Sequence, residues 1–257
     1  MHGIILRKTK VKDSDLVVQW LTDDDLVVAA YAAHVQSSKS FPNGLELMTV
    51  YEIELVTRPN AMVRMKSAYH VEQFDNLITD SSANACACAA LESVSCVSPD
   101  DSIIIDLFST LLQTFAVMNT VPELSPMLVA WFESFLLHQF GVLPNLDICA
   151  QCARPIVTSA FYREEVGFIC TECAQNNTNI SPFVLEAIRR LRTQSIRETV
   201  QKAMVRNNEK QRLHVVSQTL RFLASVLVAN GLTKKLNAHR YMADISLNMP
   251  GLFDIVT

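Results

Sequence analysis

The chain has 257 residues, of which 49% are hydrophobic and 19% charged. That is enough for a sizeable core in two or three small domains, and it argues against a disordered tail. No window reaches eighteen consecutive apolar residues, and the richest, Phe222 to Ala229, is broken by Ser225, which argues against a membrane span. The formal net charge of −4 averages two opposed blocks: residues 81–148 carry 7 Asp/Glu and no Lys or Arg, while residues 181–257 carry 12 Lys/Arg against 5 Asp/Glu, so one region is built to meet an anion and another to avoid it.

The chain opens Met1-His2-Gly3 and is charged by Arg7. With no apolar core before that charge, the segment does not read as a signal peptide, and a cytoplasmic location is expected. Short runs rich in Val, Ile, Leu and Tyr follow at residues 3–6, 16–21, 26–31, 48–56 and 61–65. Turn formers separate them, among them Asp23-Asp24-Asp25 and Phe41-Pro42-Asn43-Gly44. Five short antiparallel strands in this span predict a small closed barrel over residues 1–76, either an OB-fold or an SH3-like barrel.

From residue 77 the period becomes helical, and a helical domain is expected to run to residue 257. Ile104, Leu107, Phe108, Leu111, Leu112 and Phe115 share one face of a helix that Asp100 and Asp101 are expected to start. Ser125-Pro126 and Ser181-Pro182 each read as N-cap and first helical residue. The polar stretch Ser195 to Asn208 reads as a loop or a frayed helix. Glu209 to Asn230 is a strong helix, with Leu213, Val216, Leu220, Leu223 and Leu227 on one face and Gly231 as its cap. The fold class is therefore α+β: a barrel, then a helical bundle.

Inserted in the bundle at residues 147–176 is Cys149-Ala-Gln-Cys152, then seventeen residues, then Cys170-Thr-Glu-Cys173. Two cysteines three positions apart on a tight turn can place both thiolates about 2.3 Å from one ion, and two such knuckles close a tetrahedron of four protein ligands. A closed set leaves no position for water or substrate, so one structural zinc ion is expected. The runs Ile156–Tyr162 and Val166–Ile169, turning at Arg163-Glu164-Glu165, supply the hairpin between the knuckles. Cys86, Cys88 and Cys96 read as small buried hydrophobes.

Six glycines, at positions 3, 44, 141, 167, 231 and 251, cannot build a P-loop or a dinucleotide-binding turn. His70-Val71-Glu72 fits the opening tripeptide of zinc deaminases, yet Cys149 is not preceded by Pro and the second cysteine pair would have no role. No catalytic residues are expected, and the chain does not read as an enzyme.

In the order of its parts the chain resembles the bacterial RecO family of DNA repair and recombination mediators. The resemblance rests on Gly3-Ile4-Ile5-Leu6-Arg7-Lys8-Thr9, on Asp13 to Val18, and on Phe140-Gly141-Val142-Leu143-Pro144-Asn145-Leu146-Asp147-Ile148-Cys149-Ala150-Gln151-Cys152. It implies an OB barrel, a helical bundle with an inserted zinc module, and binding of single- and double-stranded DNA with annealing of complementary strands. It also implies the partner RecR, help in loading RecA onto DNA coated by single-stranded DNA-binding protein, and a nucleoid-associated place in the cytoplasm.

DNA affinity comes mainly from Lys and Arg that neutralise phosphates. The barrel candidates are Arg7, Lys8, Lys10, Lys12, Lys39, Arg64 and Lys66, with Tyr31, Phe41 and Tyr69 as possible stacking platforms. The C-terminal candidates are Arg189, Arg190, Arg192, Arg221, Lys234, Lys235 and Arg240. Family members usually carry a basic run before the third strand, where this chain has Asp23-Asp24-Asp25 and keeps only Lys39. The competing class is a protein-interaction scaffold of the same fold with weak or lost DNA binding. A tail of single-stranded DNA-binding protein, acidic and apolar, is expected to dock on the basic C-terminal helices beside an apolar groove.

Overall fold

The computed structural model describes residues 1–35, 37–98, 102–157, 160–163, 166–174, 178–205, 209–230, 236–249 and 252. The chain forms two compact units, 1–123 and 124–257. The expected change from strand to helix near residue 77 is a change of secondary structure inside the first unit, which runs on through three helices.

Five strands open the chain: β1 (His2–Lys10), β2 (Leu16–Thr22), β3 (Val27–Ala32), β4 (Thr49–Val56) and β5 (Val63–Gln73). They close in the order β1-β2-β3-β5-β4. β3 meets β5 in parallel and every other pair is antiparallel, which is the OB arrangement. Closure is made at Gly3, which pairs with Thr22 on one side and Tyr51 on the other. A Cβ there would stand 2.9 Å from Ile53 Cδ1 and 3.1 Å from Trp20 Cε3, so a larger residue would have to displace the tip of Ile53 and crowd the Trp20 ring. Trp20 and Tyr51, both fully buried, pack edge to face at 5.6 Å and fill the barrel with Ile5, Val18, Ala30 and Ile53. The register of β1 against β2 shifts between Ile5 and Arg7. Gly3 to Leu6, before that bulge, are buried, and Arg7 to Lys10 are exposed.

The unit continues with α1 (Asp75–Thr79), α2 (Ser81–Val97) and α3 (Leu107–Thr120). Asp80 caps α2 by accepting the Ala83 N–H at 2.8 Å. The start of α3 differs from expectation. Ile104 lies outside the helix, and the residue that precedes the helix, Asp106, has a left-handed φ of 62°. The cap comes from the barrel: the Asp25 carboxylate accepts the N–H groups of Asp106 at 2.7 Å and Phe108 at 2.8 Å. The expected starters Asp100 and Asp101 lie outside the described residues.

The second unit holds α4 (Ser125–Gln139), a ribbon of β6 (Ala160–Arg163), β7 (Gly167–Ile169) and β8 (Thr178–Ile180), then α5 (Pro182–Thr193), α6 (Ile196–Val205), α7 (Glu209–Ala229) and α8 (Asn237–Ile245). Ser125 is already inside α4, because a single 3-10 turn at Pro122–Leu124 leads into it. α5 starts at Pro182 with Ser181 in extended geometry before it, although the Ser181 hydroxyl makes no capping bond. The stretch after Ser195, expected as a loop or a frayed helix, forms helix α6. Ser195 Oγ accepts the Glu198 N–H at 3.3 Å and Glu198 Oε2 accepts the Ser195 N–H at 2.9 Å, a reciprocal cap that starts a helix in a polar sequence. The expected cap of α7 at Gly231 and the hairpin tip at Glu164-Glu165 lie outside the described residues. α7 packs on α4, and its Leu220, Leu223 and Leu227 are all buried. α8 is tied to α4 by His239 Nε2 and Glu133 Oε1, 2.5 Å apart and fully buried.

Asp25→Ala should lower the stability of the chain by about 1–2 kcal/mol, since it removes the α3 cap and puts a residue that disfavours it at position 25, whose φ is 61°. Asp25→Asn should lose less, because Asn tolerates that backbone and keeps an acceptor. Urea unfolding midpoints of the three proteins check this; equal midpoints for parent and Asp25→Ala would refute the capping role.

Candidate functional site

The four cysteines are brought together by two tight turns at the root of the ribbon. In the first, the Ala153 N–H donates to the Cys149 carbonyl at 2.9 Å and the Cys149 N–H to the Arg154 carbonyl at 2.8 Å. Ala153 takes a left-handed φ of 59° to do so. In the second, the Cys173 N–H donates to the Cys170 carbonyl at 3.2 Å. The Ala150 N–H reaches the Phe168 carbonyl at 2.8 Å, which lays the first turn against β7. The four Sγ atoms then lie within 4.8 Å of one another, and those of Cys152 and Cys170 are 3.7 Å apart. A tetrahedron with metal–sulfur bonds of about 2.3 Å has edges of about 3.8 Å, so the donor set has the size and softness that a thiophilic divalent ion needs. The cluster is positioned to bind a metal.

Electrostatics of the cluster fit that use. Burial would push the Cys149 thiol up, but the N–H groups of Cys170, Cys152 and Gln151 are aimed at its sulfur and bring it down to about 6. The Cys170 N–H is 3.3 Å from it. Cys173 moves the other way, to about 12, because it hydrogen-bonds Cys152, is partly desolvated and faces the neighbouring sulfurs. One thiolate is thus held readily and the next is resisted, a repulsion that a divalent cation among four sulfurs would relieve. The exposed Arg154 guanidinium pairs with Glu172 across the two turns.

The module is fastened to α5 by two arginines. Arg189 Nη2 donates to the carbonyls of Leu146 at 2.7 Å and Ile156 at 2.6 Å, and its Nε to Asp147 Oδ1 at 3.1 Å. Arg192 Nη2 takes the other carboxylate oxygen of Asp147 at 2.9 Å. A second attachment is aromatic: Phe222 on α7 packs against Tyr162 at 5.0 Å and Phe168 at 5.3 Å.

Comparison with known proteins gives this arrangement a family. Residues 78–229 match the family model described as the recombination protein O C terminal. A protein of Dehalococcoides mccartyi named DNA repair protein RecO is 30% identical over 194 residues, which is 74% of this chain and 76% of that one. A protein of the same name from Anaeromyxobacter dehalogenans is 29% identical over 178 residues, 68% of this chain and 70% of that one. The chain belongs to the RecO family. Membership gives it a role in DNA repair and recombination, and among the described residues no helix is long and apolar enough to cross a membrane.

The RecO barrel carries its expected cations on the outside. Arg7, Lys10, Lys12, Lys39 and Arg64 are exposed, the first two on the part of β1 beyond the bulge. Lys8 is partly drawn in, donating to the Leu45 carbonyl at 2.6 Å and to Glu46 at 3.3 Å, and Lys66 pairs with Glu54 at 2.6 Å. Of the aromatic candidates, Phe41 is 4% exposed and belongs to the core. Tyr31 is half-buried, donates its hydroxyl to Asp15 and lies 6.0 Å under the Arg64 guanidinium. Tyr69 is 48% exposed on β5. His70 packs edge-on against Tyr51 at 4.8 Å, a barrel-wall role.

The C-terminal candidates divide. Arg189 and Arg192 hold the module, so they are structural, and Arg190 pairs with Glu186 one turn back at 2.7 Å. Arg221 and Arg240 are half-buried on α7 and α8. Lys234 and Lys235 lie outside the described residues. The structure adds two cations that sequence reasoning passed over, Lys202 and Arg212. With Arg190 they line a groove of about 1160 Å³ between α4, α5, α6 and α7, whose apolar lining includes Phe183, Leu191 and Val215. Phe183 is 65% exposed there. A helix recognised at 196–205 would have shown Lys202 one turn from its end; leaving that stretch as a loop or a frayed helix hid it.

The hydrogen bond from Arg192, with the charges of Arg192 and Arg189, holds the Asp147 carboxyl below its ordinary value. Its folded-state pKa is depressed, so its contribution to stability is complete above about pH 4, its unfolded value, and is lost as the pH falls through the folded one. Asp147→Asn should therefore be less stable than the parent near neutral pH, and the gap should narrow as the pH falls below about 4, through the depressed folded-state value. Unfolding midpoints across that range test it; a constant gap would refute the linkage.

Proposed function

We propose that this RecO protein is a non-enzymatic mediator that binds single- and double-stranded DNA without sequence preference and anneals complementary strands. With RecR, it helps load RecA onto DNA coated by single-stranded DNA-binding protein, working at the nucleoid in the cytoplasm. The observation that carries the reading is the exposed run Arg7, Lys10 and Lys12 on and beside the outer half of β1, in a barrel of a type that tracks a phosphate backbone with cations and offers aromatic platforms. Lys39, Arg64 and Tyr69 are further exposed candidates on the barrel. Arg190, Arg221, Arg240 and the pair Lys234-Lys235 supply the rest of the basic charge.

The ion at Cys149, Cys152, Cys170 and Cys173 is proposed to be one structural zinc. When bound, it would neutralise the thiolates and lock the two turns of the ribbon together. The groove suits the acidic, apolar tail of single-stranded DNA-binding protein, its phenyl and aliphatic walls taking side chains and Lys202 and Arg212 facing carboxylates, beside the Arg190–Glu186 pair that also lines it. A second reading, a scaffold with weak DNA affinity, is favoured by the pairing of Lys8 and Lys66 with carboxylates and by the acidic turn at Asp23–Asp25.

Fluorescence anisotropy of a labelled single-stranded oligonucleotide, at about 50 and 200 mM salt, decides between them. Binding should weaken steeply with salt. Replacing Arg7, Lys10 and Lys12 by Ala should flatten the log–log slope by about 0.7 for each phosphate that is no longer neutralised. Lys234→Ala with Lys235→Ala tests the C-terminal share in the same way. No binding at low salt favours the scaffold.

Zinc is tested separately. The purified chain should carry one equivalent, and Cys149→Ser should lose it together with several kcal/mol of stability. Metal content and thermal melting report both; a parent free of zinc, or equal melting temperatures, would overturn the assignment.

A further inference from the structure

Helix α5 stands between the cysteine module and the groove and touches each with a different face. Arg189 and Arg192 point to the module, where Arg189 alone makes three hydrogen bonds. Phe183, Ala187 and Leu191 line the groove. Ala187 and Leu191 are each two residues from Arg189, about 200° around the helix at about 100° per residue. The second groove wall has the same double use. Val215, Val216 and Thr219 of α7 line the groove, and Phe222, one turn on, packs against Tyr162 and Phe168 of the ribbon.

The carbonyls that Arg189 grips belong to Leu146 and Ile156, which flank the first cysteine turn on both sides. Their spacing is set by that turn: the Ile156 N–H donates to the Asp147 carbonyl at 2.8 Å, next to the Cys149–Arg154 bond. A ribbon of three short strands buries too little apolar surface to hold this shape by packing alone, and small modules of that kind draw their order from the metal they bind. Whatever orders the cysteine turn therefore orders the receptor for Arg189, and through it one wall of the groove.

We infer that the cysteine module is a control element for the groove, so that zinc at the four sulfurs and an acidic, apolar peptide in the groove bind cooperatively through Arg189 on α5. This rests on the groove being the peptide site proposed above. Coupling free energies are reciprocal: zinc tightens the peptide, and the peptide retains zinc.

The probe is a fluorescein-labelled acidic, apolar peptide, titrated by anisotropy into the full chain. Three forms are compared: zinc-loaded, zinc-stripped and zinc-loaded Arg189→Ala, with metal content measured in each. Stripping should weaken binding at least ~5-fold, the low end of ordinary coupling. Arg189→Ala should weaken it comparably although Arg189 does not line the groove. Because the stripped chain can unfold, a reciprocal measurement uses only native protein: saturating peptide should slow zinc release to a chromogenic chelator by a similar factor in the parent and not in Arg189→Ala. Peptide affinity equal within twofold in all three forms, with zinc release indifferent to peptide, would overturn the coupling while leaving the groove reading intact. No binding to the zinc-loaded parent would overturn both.

Discussion

The second unit depends on how a ribbon too small for its own core is held in place. Its strands β6, β7 and β8 are four, three and three residues long, and packing on that scale stabilises little. Two other interactions fix it. Four sulfurs gather around a common point, and a guanidinium binds the two carbonyls that flank the first turn together with the carboxylate between them. Hydrogen bonds with a charged partner are the stronger kind, and a planar fork with five donors suits such a cluster better than an ammonium would. The ring of Phe222 then closes the remaining apolar side. With these contacts made, α5 and α7 are set relative to the module and the groove takes its shape.

The arginines of α5 show how a cation's role is decided by its neighbours. Arg189, Arg190 and Arg192 lie within one turn, in the most basic part of the chain, and as a string of letters they are equivalent phosphate binders. In the fold, two of them face Asp147 and backbone oxygens, and the third faces the groove with Glu186 at its side. The surplus of positive charge over residues 181–257 is therefore partly consumed between helix and module. Among the described residues, the rest of it lies on α5 to α8, at Arg190, Arg197, Lys202, Lys210, Arg212, Arg221 and Arg240.

A similar division runs through the barrel. The bulge in β1 separates an apolar half, which closes the barrel at Gly3, from an exposed half that carries Arg7, Lys8 and Lys10. A single strand thus provides both the seam of the core and the basic edge. Asp25, from the acidic turn that breaks the family's expected basic run, has an architectural use as the cap of α3.

By itself the sequence determined the elements whose cause is local. Alternating and near-continuous apolar runs marked the five strands, helical period marked α3 and α7, and the spacing of the cysteines marked the cluster positioned to bind a metal, because two thiols three residues apart can meet one ion with little help from the rest of the chain. Proline at the first helical position marked the start of α5 for the same reason. Only the tertiary structure decided which barrel topology closes, since an OB and an SH3-like barrel share strand patterns and differ in pairing. It also assigned Asp25 to a helix 81 residues away, gave Arg189 and Arg192 to the module, and assembled the groove from four helices. Each of these is a contact between residues distant in sequence, and no periodicity or spacing encodes a partner that folding alone brings near.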